Sequence, residues 1–214
     1  MSYLVLARKY RPKTFADIVG QKPVVTTLVN SLTRGRVAHA ILFSGIRGVG
    51  KTTLARIMAK ALNCVTGPTP TPCNTCDSCT QINTGASLDL HEIDGASNRG
   101  IQEVRDLKDN IKYMPAAAPH KIVIIDEVHM LTNEAFNALL KTLEEPPEHV
   151  YFIFATTELH KIPITILSRC QRFELRRINS TELAEHYEKL AAAEGIILEK
   201  GAPVSYTHLT LPTN

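Results

Sequence analysis

Eight consecutive residues, Gly45-Ile46-Arg47-Gly48-Val49-Gly50-Lys51-Thr52, fill every fixed position of the pattern GxxxxGK[ST]. That spacing suits phosphate chemistry. The glycines let the backbone wrap an anion and turn its N–H groups inward. A helix starting near Lys51 would add its positive N-terminal end. Lys51 is spaced to reach the β- and γ-phosphates of a nucleotide, and the Thr52 hydroxyl to ligate Mg²⁺. Thr53 joins Gly45, Ile46, Arg47, Gly48, Val49 and Gly50 as an expected cofactor-binding residue. A chance glycine-rich turn would not need a strand before it and a helix after it, and both flanks read that way here.

A second candidate lies about 75 residues past Lys51, where the apolar run Ile122-Val123-Ile124-Ile125 ends in Asp126-Glu127. By itself a strand ending in two acids is a weak signal, since it could be a solvated strand end. After a phosphate-binding loop, Asp126 is the expected Mg²⁺ ligand and Glu127 the expected base for an attacking water. His129, two residues on, suits a structural or coupling role better than a catalytic one. His39 suits a packed or surface position.

The third candidate is Cys64-x8-Cys73-x2-Cys76-x2-Cys79. Four clustered thiols suit a tetrahedral Zn²⁺ in a closed, structural site with no open position for water. The Pro/Thr loop from Thr66 to Pro72 gives the chain slack to bring Cys64 to the other three. Overlapping Cys-x2-Cys pairs also occur in iron–sulfur proteins, but there the fourth cysteine usually lies downstream, before a proline. An unligated cluster is the remaining option. Cys170, the odd one out, suits a small apolar packing role.

The elements that must carry these residues can be read from periodicity. His39–Phe43, Leu88–Ile93, Lys121–Asp126, Val150–Ala155 and Arg172–Leu175 read as strands. Lys51–Asn63 and Ile101–Ile111 read as helices. Phe136, Leu139, Leu140 and Leu143 form an amphipathic stripe that Glu144-Glu145-Pro146-Pro147 ends. Asn179 and Glu182 are spaced as a capping box, and Leu183, Tyr187, Leu190 and Ala191 continue that helix. The residues up to about Gln21 read as an extended arm. Strands alternating with helices imply an α/β fold with a parallel sheet covered on both faces. The 214 residues, 44% apolar, allow a substantial core, and a net charge of +3 does not by itself argue for nucleic acid. No apolar run is long enough to span a bilayer, and a cytoplasmic setting with no membrane partner is expected.

Further segments resemble a specific family. Tyr10-Arg11-Pro12-Lys13-Thr14-Phe15-Ala16-Asp17-Ile18-Val19-Gly20-Gln21 is similar to the N-terminal signature of clamp-loader ATPases, which borders the adenine pocket in that family. Asp94–Gly100 resembles the segment before a DNA-facing helix. Leu139–Pro147 resembles the helix after the Asp-Glu strand, and Phe154-Ala155-Thr156-Thr157 the sensor 1 strand. Ser168-Arg169-Cys170 looks like the Ser-Arg-Cys motif. The chain is therefore identified as resembling the gamma/tau subunit family of the bacterial DNA polymerase III clamp loader, over Met1 to about Ala202, with the cysteine insert narrowing the match. The related delta-prime subunit lacks a working phosphate loop, and this chain keeps one.

The resemblance implies an AAA+ P-loop NTPase fold with a small zinc insert and the start of a helical lid. It implies ATP, Mg²⁺ and structural Zn²⁺ as cofactors. Thr157 would report on the γ-phosphate, and Arg169 would be an arginine finger reaching a neighbouring subunit's ATP, worth about 10³–10⁵ in rate in other systems. Its partners would be the other subunits of a hetero-oligomeric ring, the sliding clamp, the polymerase core in a full-length form, and primer–template DNA held mainly through its backbone. Arg99, Arg105 and Lys108 are the candidates for DNA contact. A solvated helix face would explain them equally well.

The expected organisation is an ATPase domain over 1–178, with the zinc module inserted at about 64–79, and the start of a lid over 179–203. From about Val204 the chain changes character, and Val204-Ser205-Tyr206-Thr207-His208-Leu209 looks like a translated sequencing adapter. On that reading the native protein is longer, and this chain would bind nucleotide but assemble and hydrolyse poorly. The alternatives are a related AAA+ DNA motor of the branch-migration type and a non-catalytic scaffold that keeps ATP as a fold element. The cysteine insert and Ser-Arg-Cys argue against the motor, and intact Lys51 and Glu127 against the scaffold.

Overall fold

The computed structural model describes residues 6–98 and 100–196. Arg99, the adapter-like tail and the end of the expected lid segment lie outside the described residues. Five strands form one parallel sheet: β1 (Ala40–Ser44), β2 (Leu90–Asp94), β3 (Lys121–Asp126), β4 (Val150–Thr156) and β5 (Gln171–Glu174). Their order across the sheet is β2-β3-β4-β1-β5. The helices are α1 (Leu6–Lys9), α2 (Lys22–Thr33), α3 (Lys51–Asn63), α4 (Asp77–Thr84), α5 (Ile101–Ile111), α6 (Asn133–Glu144), α7 (Ile164–Leu167) and α8 (Ser180–Glu194).

The two faces of the sheet divide the apolar residues of each strand between two cores. In β3, Ile122 and Ile124 pack with Leu28 of α2 and Leu54, Ile57 and Met58 of α3. Val123 and Ile125 pack with Val104 and Leu107 of α5 and with Phe136 and Leu139 of α6. Such a strand has no solvent face, which is why it is a continuous β-branched run rather than an alternating one. Burying each of these side chains stabilises the fold by about 1.5–3 kcal/mol.

Parallel strands end on the same edge of the sheet. The chain therefore leaves β1, β3, β4 and β5 into one common region, where loops can meet. β4 lies between β1 and β3, so the residue after β4 falls between the phosphate loop and Asp126-Glu127.

Several expectations are corrected. The arm before Gln21 is not simply extended. It contains α1 and a 3₁₀ turn over Phe15–Asp17, in which the Asp17 carboxylate accepts from the N–H and hydroxyl of Thr14. β1, β2 and β5 are each shifted by one or two residues from the expected bounds. α2, α4 and α7 were not foreseen. α4 is short and polar, and α7 has four residues, too few to show a period. The cap of α8 is as expected, with Asn179 Oδ1 accepting from the Glu182 N–H at 2.7 Å. Among the described residues, no helix is long and apolar enough to cross a membrane.

Candidate functional site

A cavity of about 1470 Å³ opens at the C-terminal edge of the sheet. Its floor is the loop between β1 and α3. Gly45 leaves β1 at φ +149°, and a Cβ there would lie 2.6 Å from the Leu175 carbonyl oxygen. Only glycine fits that approach. Gly50 caps α3 at φ +99°, a left-handed turn that aims the first helical N–H groups into the cavity. A Cβ on Gly50 would meet nothing within 4 Å, so it is the left-handed backbone rather than crowding that favours glycine there.

Lys51 is 5% exposed, and its ammonium donates to the carbonyls of Gly45 at 2.9 Å and Ile46 at 3.1 Å. Burial pulls its pKa below the ordinary lysine value, while the charges of Glu127 and Asp126 act in the other direction. The Thr52 hydroxyl donates to Asp126 Oδ2 at 2.5 Å. These two oxygens are a hard donor pair beside the glycine-rich loop, and they fit a small divalent cation such as Mg²⁺.

Glu127 turns back at φ 44°, ψ 46°, a left-handed conformation unusual for a non-glycine residue. This aims its carboxylate toward the end of β4. Glu127 Oε2 accepts from the Thr157 N–H at 3.2 Å and the Thr157 hydroxyl at 3.0 Å. His129 packs behind it, with Nδ1 3.4 Å from Glu127 Oε2 and 3.0 Å from Thr156 Oγ1. His129 Nε2 lies 3.3 Å from Glu158 Oε1. The imidazole thus lies between two carboxylates.

Two walls rise from this floor. Tyr10, Pro12, Ile18 and Val19 come from the arm, and Ile178, Leu183, Tyr187 and Leu190 from α8 and its approach. The walls are tied together at their base. The buried Gln21 amide donates to the Arg176 carbonyl at 2.7 Å and accepts from the Arg176 N–H at 3.1 Å. The α8 wall was missed as a site element. Its apolar stripe was visible, but nothing in the stripe says that it faces a cavity rather than a core. The ion pair of Arg56 and Glu92, 2.8 Å apart, was missed too, although Glu92 lines the cavity.

Lys51, Thr52, Asp126, Glu127 and Thr157 are thus brought together, with Arg47, Gly48, Val49 and Thr53 around them. Arg169 is not. It lies after α7, away from this cavity, where its guanidinium pairs with Glu144 and donates to the Thr165 carbonyl at 2.6 Å. Arg105 is exposed and Lys108 half-buried on α5, away from the buried Val104, Leu107 and Ile111.

At the far end of α3, Cys64, Cys73, Cys76 and Cys79 bring their sulfurs within 4.8 Å of one another. Tetrahedral Zn²⁺, with Zn–S of about 2.3 Å, needs sulfurs about 3.8 Å apart, so the set fits. The Cys73 N–H points at Cys64 Sγ (3.4 Å) and the Cys76 N–H at Cys73 Sγ (3.3 Å). Bonds from Thr75 and the Cys76 amide pull Cys73 down to about 5, and burial pushes Cys79 up to about 12. Cys170 lies against the second core, and burial pushes its thiol to about 12, as suits an inert packing residue.

Sheet order and phosphate loop define the class: this is an AAA+ P-loop NTPase fold. In solved structures, the Holliday-junction branch migration motor RuvB of Thermotoga maritima matches with a TM-score of 0.65 and 22% identity, over 91% of this chain and 58% of that one. A gamma subunit-related protein of DNA polymerase III from the same organism matches with a TM-score of 0.50 and 22% identity, over 87% and 57%. Both likenesses concern the fold alone.

Sequence similarity gives the family. The family model described as "DNA polymerase III, delta subunit" matches residues 20–179, and the chain belongs to that family. The tau subunit of DNA polymerase III from Escherichia coli is 55% identical over 202 residues, 94% of this chain and 31% of that protein. The tau subunit of Bacillus subtilis is 53% identical over 94% of this chain and 36% of its own length. The gamma subunit of Buchnera aphidicola (Baizongia pistaciae) is 50% identical over 93% and 54%. The chain thus spans about a third to a half of the length of these relatives.

Proposed function

We propose that this chain is the MgATP-binding ATPase module of a gamma/tau-type clamp-loader subunit. The observation that carries the reading is the meeting, in one cavity, of the Lys51 ammonium, the Thr52–Asp126 pair and the Glu127 carboxylate. Relatives named as tau and gamma subunits, at 50–55% identity, support the clamp-loader assignment.

On this reading the phosphates displace the loop carbonyls from Lys51, whose charge then neutralises the β- and γ-oxygens. Thr52 and Asp126 would hold Mg²⁺, which supplies further neutralisation of phosphate charge when bound. Glu127 accepts a proton from the attacking water, and Thr157 fixes the carboxylate that does so. Arg169 would leave Glu144 to act on a neighbouring subunit's nucleotide, which makes hydrolysis dependent on assembly. The four cysteines would hold a structural Zn²⁺, and α8 would begin a lid. In the assembled loader, ATP would support clamp opening, and primer–template DNA would trigger hydrolysis and clamp closure.

Nucleotide titration of Lys51→Ala tests the cavity. Affinity for ATP is expected to fall by at least about a hundredfold, as removal of a buried charged partner costs about 3 kcal/mol or more. Unchanged affinity in a folded variant sinks the assignment. In an assembled loader, Glu127→Gln should bind ATP normally yet stop hydrolysis and clamp release. If both persist, the scaffold reading replaces this one.

A further inference from the structure

Lys60 is 1% exposed and sits on α3, the helix that begins at the phosphate loop and ends at Cys64. A lysine so deeply buried must find partners for its charge. Its ammonium donates to Asn74 Oδ1 at 2.6 Å and to the Lys13 carbonyl at 2.7 Å. These two acceptors belong to different parts of the molecule.

Asn74 lies between Cys73 and Cys76. Its backbone is left-handed, at φ 59°, and its amide donates to the Pro72 carbonyl at 3.1 Å. Its conformation is therefore part of the loop that presents two of the four sulfurs. Lys13 lies in the arm. There the Asp17 carboxylate accepts from the Lys13 N–H, and Phe15, 4% exposed, anchors the segment in the core. Pro12, Ile18 and Val19 of the same arm line the cavity.

We infer that Lys60 is a positioning residue that couples the four-cysteine module to the arm wall of the nucleotide cavity. The physical reason is that one buried ammonium serves both segments. If the cysteine loop shifts and withdraws Asn74, the charge is left short of an acceptor, and the cost falls on its remaining partner, the arm. A change at the metal module thus reaches the cavity wall through a shared hydrogen-bond donor. The cavity's role in this rests on the nucleotide-binding reading above; the coupling between the two segments does not.

Hydrogen–deuterium exchange on the zinc-loaded chain tests the coupling. Asn74→Gly keeps the left-handed backbone and removes one acceptor of Lys60. Exchange is expected to rise about tenfold in residues 10–21 as well as in residues 64–79, with β3 and β4 unchanged. Lys60→Met should loosen the same two segments and speed zinc release to a chelator several-fold. A rise confined to residues 64–79 in Asn74→Gly overturns the inference. That variant decides the matter if Lys60→Met does not fold. ATP affinity, measured on the same samples, separates the two readings. Wild-type chain that binds no ATP would end the nucleotide assignment, while the exchange pattern still judges the coupling.

Discussion

Glu127 shows how much one residue depends on its surroundings. Its left-handed backbone costs about 1–3 kcal/mol, which persists only where neighbours over-determine it. Here the Thr157 N–H and hydroxyl hold the carboxylate from one side, and His129 packs 3.4 Å away on the other. Thr157→Val keeps the shape and removes the hydroxyl. On the proposed reading of Glu127 as the base, we expect an assembled loader to keep ATP affinity within about twofold of wild type and to lose about ten- to a hundredfold in hydrolysis, as for a misaligned general base. Unchanged hydrolysis would remove Thr157 from the role. At this scale the sequence was legible for the grouping of Lys51, Thr52 and Asp126 in one cavity, because the proposed phosphate and Mg²⁺ chemistry would fix both residue type and spacing. The His129 bridge and the Arg169–Glu144 pair were not legible, since their partners come from other elements.

Among the elements, the loop before β3 rests on a residue that no motif marks. Asp89 is 2% exposed and accepts from the N–H groups of Ala116 (2.6 Å), Ala117 (2.8 Å) and Ala118 (2.7 Å). Burial opposes its charge, but the three amides outweigh burial and hold its pKa below the ordinary carboxylate value. Asp89→Ala strands those amides and is expected to cost about 3 kcal/mol, read as a melting point lower by about 5–10 °C. A fall of less than about 1 °C would mean that the loop finds other acceptors. β3 is readable because burial on both faces makes it an unbroken β-branched run, and α3 and α5 because burial imposes a helical period on them. In the arm, Pro12 and mixed polarity give an extended signature that hides a 3₁₀ turn held by the Asp17 side chain.

For the molecule as a whole, histidines gather at the edge of the sheet opposite the cavity. His39 stacks on Tyr151 at 4.8 Å between ring centres, and His120 meets the same ring edge-on at 5.0 Å. His120 Nδ1 is buried without a hydrogen-bond partner. Burial, with smaller contributions from His39 and His149, lowers the His120 pKa; burial, then Lys121, lowers that of His91, with Asp89 opposing. Both folded values lie below 6.5. As pH falls through that value the unfolded chain takes up protons that the folded chain resists, so stability is lost toward acid. We expect the melting point to fall between pH 7.5 and 5.5, and His120→Phe, which keeps the edge contact, to flatten that slope. An unaltered slope in the variant would assign the acid sensitivity elsewhere.

The sequence by itself determined the phosphate loop, the Asp126-Glu127 pair, the four clustered cysteines and the alternation that makes a parallel sheet. Each is a local pattern, carried by residues close together in the chain. Tertiary structure alone decided that Thr157 reaches Glu127, that Gln21 clasps Arg176 across 155 positions, and that Lys60 serves both the arm and the cysteine loop. Those contacts join residues from different elements through one or two hydrogen bonds each. Strand order and helix packing fix such geometry, and a linear pattern does not record it.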